Sequence, residues 1–229
     1  ITFGDASYAF SSTGHLESKT DGAGTTAYTY DAFSNLKHVE LPSGTVVDYV
    51  VDARNRRVGK KVDGTLVQGF LYQDQLNPVA ELDGNGEVVQ RFVYGLQGHV
   101  PAYIIRGNTT YRIVTDQLGS VRLVIVEDTG VVAQALEYDS FGNVLVDTNP
   151  GFQPFGYAGG IYDRDTGLVR FGARDYDPHT ARWTTKDPIR FAGGQANLYV
   201  YVGNQPNMGI DPSGNIGLPG AGLGAAAGG

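Results

Sequence analysis

The amino-acid sequence predicts an all-β protein of consecutive β-hairpins, which together make one long antiparallel sheet that curls on itself. Three observations carry this reading. Tyr30, Val51, Tyr72, Tyr94, Thr115 and Tyr138 recur at intervals of 21, 21, 22, 21 and 23 residues. Halfway between them lies a second set of turns, marked by Gly44, Gly64, Gly86, Gly107 and Gly130. The segments between turns are β-branched or aromatic and too short for helices.

Taken in order, "YTYDAFSN" closes a strand near Asp31, "PSG" at 42–44 turns the chain, and "TVVDYVV" leads to "YVVDARNR" with Asp52. "VDG" at 62–64 precedes "FLYQDQLN", which carries Tyr72, and "DGNG" at 83–86 precedes "QRFVYG". "RGN" at 106–108 opens "TYRIVTD", which reaches Asp116; "VRLVIVE" and the "EDTG" turn lead to "LEYDSFGN" with Asp139. Each repeat is two strands and two turns, and a fixed period of this length marks a repeat architecture. The glycines supply the positive φ that such turns need. Tyr30, Tyr72, Tyr94 and Tyr138 are expected at one sheet position, stacked across neighbouring strands, each aromatic pair contributing roughly 0.5–1 kcal/mol. Their reading is structural, with a sugar-binding aromatic ladder as the alternative.

The composition excludes several functions. The 229 residues suffice for one large domain or two small ones. A net charge of −7 argues against a nucleic-acid partner, because phosphate binding needs a basic stripe. No stretch of about 18 apolar residues suggests a transmembrane span. Cysteine is absent, which removes disulfides and thiolate metal sites. His15, His38, His99 and His179 have no ligand spacing, so neither a metal nor a cofactor is expected. "DGNGE" at 83–87 is too short for a calcium loop. Ile1 in place of a start methionine leads us to expect a processed product or a fragment.

The C-terminal third carries three Asp-Pro steps, at Asp177, Asp187 and Asp211. Proline fixes φ and withholds its N–H, so each is a turn signal. Aspartate is also the residue that does acid–base chemistry in pairs. "GTTAYTYDAFSNL" at 24–36 and "LEYDSFGNVL" at 136–145 fit a pattern G-x-x-x-x-Y-x-Y-D-x-x-G-R/N-L. Residues 159–214 hold, in order, Tyr162–Leu168 (Y-D-x-x-T-G-L), Arg174–Pro178 (R-x-Y-D-P), Ala181–Arg190, Gly193–Tyr201 (G-G-x-x-N-L-Y-x-Y), Asn204–Pro206 (N-x-P) and Asp211–Gly214 (D-P-x-G).

By these motifs the chain resembles the rearrangement hotspot (RHS) or YD-repeat proteins with their C-terminal RHS-associated core. The resemblance implies a spiral β-sheet shell over residues 1–150, a core plug over 151–214, and a Gly/Ala-rich tail or linker over 215–229. It implies an exported, extracellular bacterial protein whose shell encapsulates a C-terminal toxin or other cargo. Its partners would then be that cargo segment, an N-terminal shell region, further copies of itself or secretion-system proteins. The alternative is an extracellular structural or adhesion module that assembles through sheet edges without catalysis.

The resemblance further implies an aspartic autoprotease that acts on its own chain and on no external substrate, with Asp187 and Asp211 as the carboxylate pair and Arg182 holding one of them ionised. The competing reading makes both aspartates turn caps. Three positions depart from the family pattern: Ala181 and Arg190 replace glycines, and Asn215 replaces a leucine. Arg190 is expected to lower the pKa of Asp187 and disturb proton sharing. The cut is expected within 215–218.

Overall fold

The computed structural model describes residues 1–95, 98–193, 196–215 and 218–219. The predicted hairpins form one fifteen-stranded meander. Its strands are β1 (Thr2–Phe3), β2 (Ala6–Phe10), β3 (Leu16–Asp21), β4 (Gly24–Tyr30) and β5 (Leu36–Glu40). Then come β6 (Val46–Val51), β7 (Arg57–Val62), β8 (Thr65–Tyr72), β9 (Pro78–Leu82) and β10 (Val88–Tyr94). The last five are β11 (Pro101–Arg106), β12 (Thr109–Thr115), β13 (Val121–Val126), β14 (Val132–Tyr138) and β15 (Val144–Asp147). Every strand lies antiparallel beside its sequence neighbours, and β1 and β15 remain as edges.

The repeat has a local cause. Tyr30, Val51, Tyr72, Tyr94, Thr115 and Tyr138 are the last residues of β4, β6, β8, β10, β12 and β14. The ladder slips at each of these positions. A bulge strengthens the right-handed twist and bends the strand, so a slip in every hairpin curves the sheet throughout its length. The aspartate that follows then closes the turn. Asp31 Oδ1 accepts the Phe33 and Asn35 amides, both at 2.9 Å. Asp52, Asp116 and Asp139 each take the amides two and four residues on in the same way. All five glycines named for the alternate turns adopt positive φ.

The four tyrosines do not stack on one another, contrary to expectation. Among the described residues their ring contacts are with His15, Phe70 and Tyr157. Tyr72 and Tyr94 instead donate their hydroxyls to the carbonyls of Arg57 and Pro78, at 3.0 and 2.9 Å. These two hydroxyls thus reach the backbone at the starts of β7 and β9, the strands that precede β8 and β10.

The chain after β15 fills the concave side. β16 (Ile161–Tyr162), β17 (Val169–Phe171), β18 (Arg174–Asp177) and β19 (Arg182–Trp183) form a small antiparallel sheet, and β20 (Gly209–Ile210) pairs with β21 (Leu218–Pro219). Phe171, Tyr176, Trp183 and Tyr201 pack ring against ring at its centre, Tyr176 and Tyr201 at 4.5 Å between centroids. This plug touches the meander from end to end. Phe3 meets His179, Leu168 joins the core of β2–β6, Phe155 joins that of β10–β14, and Tyr176 bonds the Phe141 carbonyl.

Buried ion pairs fasten the two layers. Lys60 reaches Asp163 and Asp165, each at 2.6 Å, and the Tyr49 hydroxyl donates to Asp163. Arg57 and Arg170 hold Asp175 between them at 2.8 and 2.9 Å, and Arg170 extends to Asn35.

Candidate functional site

The Asp-Pro steps lie where the plug turns back on itself. β18 alternates its side chains between two faces, as any strand does. Asp175 points to Arg57 and Arg170; Arg174 points the other way, to the turns at 187 and 211. Its Nη2 lies 2.8 Å from Asp187 Oδ2 and 3.4 Å from Asp211 Oδ2. Both aspartates are buried, and one guanidinium nitrogen gathers them. Arg174 is itself pinned. It sits 4.1 Å over the Trp183 ring, donates to the Leu198 carbonyl, and donates through Nε to the Gly214 carbonyl.

The second oxygens serve the backbone. Asp187 Oδ1 accepts the Ile189 amide at 2.9 Å, and Asp211 Oδ1 accepts the Asn215 amide at 3.1 Å and the Ser213 hydroxyl at 3.0 Å. Each aspartate therefore shapes a turn with one oxygen and meets Arg174 with the other. Burial pushes the Asp187 carboxyl above its ordinary range against the pull of Arg174, and the charge of Asp211 adds to the rise.

Arg182 does not occupy the place expected of it. It is exposed on β19, opposite Asp177 in the ladder. Its strand neighbour Trp183 takes the inward position, so Arg182 faces away from both aspartates. The arginine at the pair is Arg174, which the sequence motif R-x-Y-D-P contains but which was not expected to serve Asp187 or Asp211. The signal lay in the strand period of "RDYD", which places Arg174 and Asp175 on opposite faces. Asp177 accepts the His179 amide and the Thr180 hydroxyl, a turn cap by geometry.

The backbone shows why the family pattern has glycine at 181 and 190. Ala181 has φ 56° and Arg190 has φ 52°, both in the left-handed region where glycine is unstrained. Arg190 is exposed and is not among the charges that act on Asp187, whose pKa is raised rather than lowered. Gly214 has φ 69°, and a Cβ there would meet the Phe171 carbonyl and the Arg174 amide. Of the stretch expected for the cut, 216 and 217 lie outside the described residues, which include 215 and 218.

Beside the pair opens a cleft of about 480 Å³. Its walls include Asn35 and Asn55 from the rim of the large sheet, and Arg174, Thr185, Ser213 and Asn215 from the plug. Among the described residues no cluster of three or more His, Cys, Asp or Glu side chains offers a metal site. No described helix is long and apolar enough to cross a membrane.

A bulged meander wrapped round a plug with paired Asp-Pro turns defines a YD-shell protein. The sequence matches the family described as Teneurin YD-shell over residues 1–206, and the chain belongs to that family. It is similar to mouse teneurin-4, at 32% identity over 89% of this chain. It is also similar to the tRNA3(Ser)-specific nuclease WapA of Bacillus spizizenii, at 30% identity over 82% of this chain. In each case it spans 8% of the relative's length. Among solved structures it resembles a chain of the TcdB2-TccC3 crystal structure, with a TM-score of 0.66 and 21% identity over 90% of this chain and 11% of that one. That likeness bears on the fold alone.

Proposed function

We propose that this chain is the plug-bearing end of an extracellular shell that encloses a C-terminal cargo, and that it cuts itself after the 211–214 turn. In this reading residues 1–150 form the wall, 151–214 the plug, and 215–229 the start of the link to the cargo. The observation that carries it is Arg174, which gathers Asp187 and Asp211 while its Nε holds the Gly214 carbonyl. The chain about to be cut is thus fixed against the same side chain that collects the two carboxylates.

The chemistry requires one water. Its oxygen bonds to the carbonyl carbon of a peptide bond beyond Gly214 while Asp187 accepts one of its protons. The pair starts with one shared proton, and the C–N bond breaks as Asp211 gives that proton to the leaving nitrogen. The proton that Asp187 took from the water restores the shared one, and a carboxyl and an amine remain. The raised pKa of Asp187 brings its proton affinity nearer the working pH than that of an ordinary carboxylate. Arg174 keeps the two groups from repelling each other apart.

The test is a precursor extended beyond Gly229 by a folded domain. The account expects a cut in wild type, and a whole chain in Arg174→Met with the plug still folded. A second reading, an adhesion module that assembles through its edges, draws on the edge strands β1 and β15, where Phe3, Leu145 and Val146, with Ile1 just before β1, are exposed. Light scattering separates the two: concentration-dependent oligomers with no cut would favour assembly.

A further inference from the structure

A second cavity, of about 380 Å³, opens between the first strands of the wall and the plug. The partly exposed rings of Phe3, Phe10 and Tyr199 line it, together with the buried Leu16 and Trp183. Tyr199 is fixed in place: its hydroxyl donates to the Gly14 carbonyl at 2.8 Å, and its ring meets Phe10 edge-on at 5.7 Å between centroids. Two exposed cations, Arg182 and Lys186, also line the cavity. Lys186 lies against Gly14, where an added Cβ would meet its Cε and Nζ. Among the described residues neither cation makes an ion pair or a side-chain hydrogen bond. Asp177 lines the cavity opposite Arg182 in the ladder, but its two oxygens accept the His179 amide and the Thr180 hydroxyl, at 2.9 and 3.0 Å.

We propose that this cavity binds an aromatic monocarboxylate, its ring among the aromatic side chains and its carboxylate at Arg182 and Lys186. Small-ligand sites have volumes of roughly 300–1,000 Å³ and mostly apolar walls, with a few polar groups that fix orientation. Aromatic walls favour a ring, which gains edge-to-face and offset contacts beyond its burial. Two cations against the one carboxylate of Asp177 leave a single net positive charge, which suits a singly charged anion better than a phosphate. Arg182 presents a planar fork that matches a carboxylate, and Lys186 a point charge. Both cations lack a partner in a chain whose net charge is −7, so their charge is free to meet a ligand. Neither Asp187 nor Asp211 lines the cavity, so its occupancy is independent of self-cleavage.

Trp183 is the single tryptophan of the chain, so its emission reports on the cavity. The 229-residue chain is titrated with hydrocinnamate, followed by that emission and by calorimetry, and saturable binding is expected. Arg182→Gln and Lys186→Gln should each weaken hydrocinnamate about fivefold, the upper end for an exposed ion pair. Both should bind hydrocinnamide as wild type does, and neither should move the unfolding temperature, because both side chains are exposed. Hydrocinnamide keeps the ring and loses the charge, so wild type should bind it about twenty-five-fold more weakly than the acid, the product of two independent contacts. Octanoate keeps the charge on an aliphatic chain and should also bind more weakly. Absence of a saturable response to hydrocinnamate would overturn the proposal, as would an amide that binds as tightly as the acid, or glutamine variants that bind the acid as wild type does. Octanoate binding as tightly as hydrocinnamate would overturn the aromatic class. Dimers in light scattering that persist in excess hydrocinnamate, with no heat of binding, would give the cavity to a second copy of the chain and overturn the proposal too.

Discussion

Replacing Lys60 by methionine tests how the plug is fastened to the wall. Lys60 is buried, and its Nζ reaches Asp163 Oδ1 and Asp165 Oδ2, each at 2.6 Å. Methionine fills much of the same volume and leaves Asp163, 5% exposed at its side chain, without its cation. The carboxylate keeps the Tyr49 hydroxyl at 2.6 Å and the Asp165 amide at 2.9 Å. Breaking one side of a buried pair costs about 3–5 kcal/mol, and these remaining donors place the expected loss near the lower end, about 3 kcal/mol. For a chain of this size that corresponds to a fall in Tm of about 6–12 °C. The pH dependence has a definite sign. Burial raises the Asp163 pKa, but Lys60, with Tyr49 and Arg57, more than offsets this and holds it below the ordinary range. Its stabilisation is therefore present above the unfolded carboxyl value, about pH 4, and is lost as pH falls through the folded one. Without Lys60 the carboxyl rises, so the gap between variant and wild type should close on acidification. Urea unfolding at neutral pH and near pH 4 measures both quantities. A neutral-pH loss under about 1 kcal/mol, or a gap that ignores pH, would refute the fastening role.

Arg190→Gly and Ala181→Gly should each stabilise the plug by about 1 kcal/mol, since each relieves a left-handed backbone on a residue with a Cβ; unchanged unfolding curves would count against that strain. Gly142→Ala should cost more than about 2 kcal/mol, because φ is 93° and the new Cβ would collide with the Tyr157 ring. Tyr94→Phe should lose about 1 kcal/mol by chemical denaturation, through the bond to the Pro78 carbonyl. Arg182→Ala should leave the rate of self-cleavage unchanged, since that side chain is exposed and faces away from the pair.

The repeat was legible because its cause is local. A strand-ending residue, a ladder slip and an aspartate that closes a turn all lie within about ten residues, and they recur. The tyrosines were misjudged because stacking assumes a regular ladder, while the slip redirects Tyr72 and Tyr94 to backbone carbonyls. Within the site, Asp187 and Asp211 carry readable turn chemistry. Which arginine serves them depends on the pairing of β18 and β19, set by contacts far apart in sequence. Arg182 looked right by distance along the chain, yet Arg174, thirteen residues before Asp187, is the one whose face of the strand meets the turns. The glycines lost at 181 and 190 suggested altered chemistry; the backbone shows a conformational demand that alanine and arginine meet under strain.

Self-cleavage by the Asp187–Asp211 pair is tested most directly by intact mass on freshly synthesised chain over time, at several dilutions. Wild type should lose its C-terminal peptide at a rate independent of concentration. Asp187→Asn and Asp211→Asn should each stay whole, because an amide cannot take or pass the proton, while Asp177→Asn should still cut. A wild-type chain that remains intact, or an Asp211→Asn chain that cuts at the wild-type rate, would contradict the account and leave the Asp-Pro steps as turns alone.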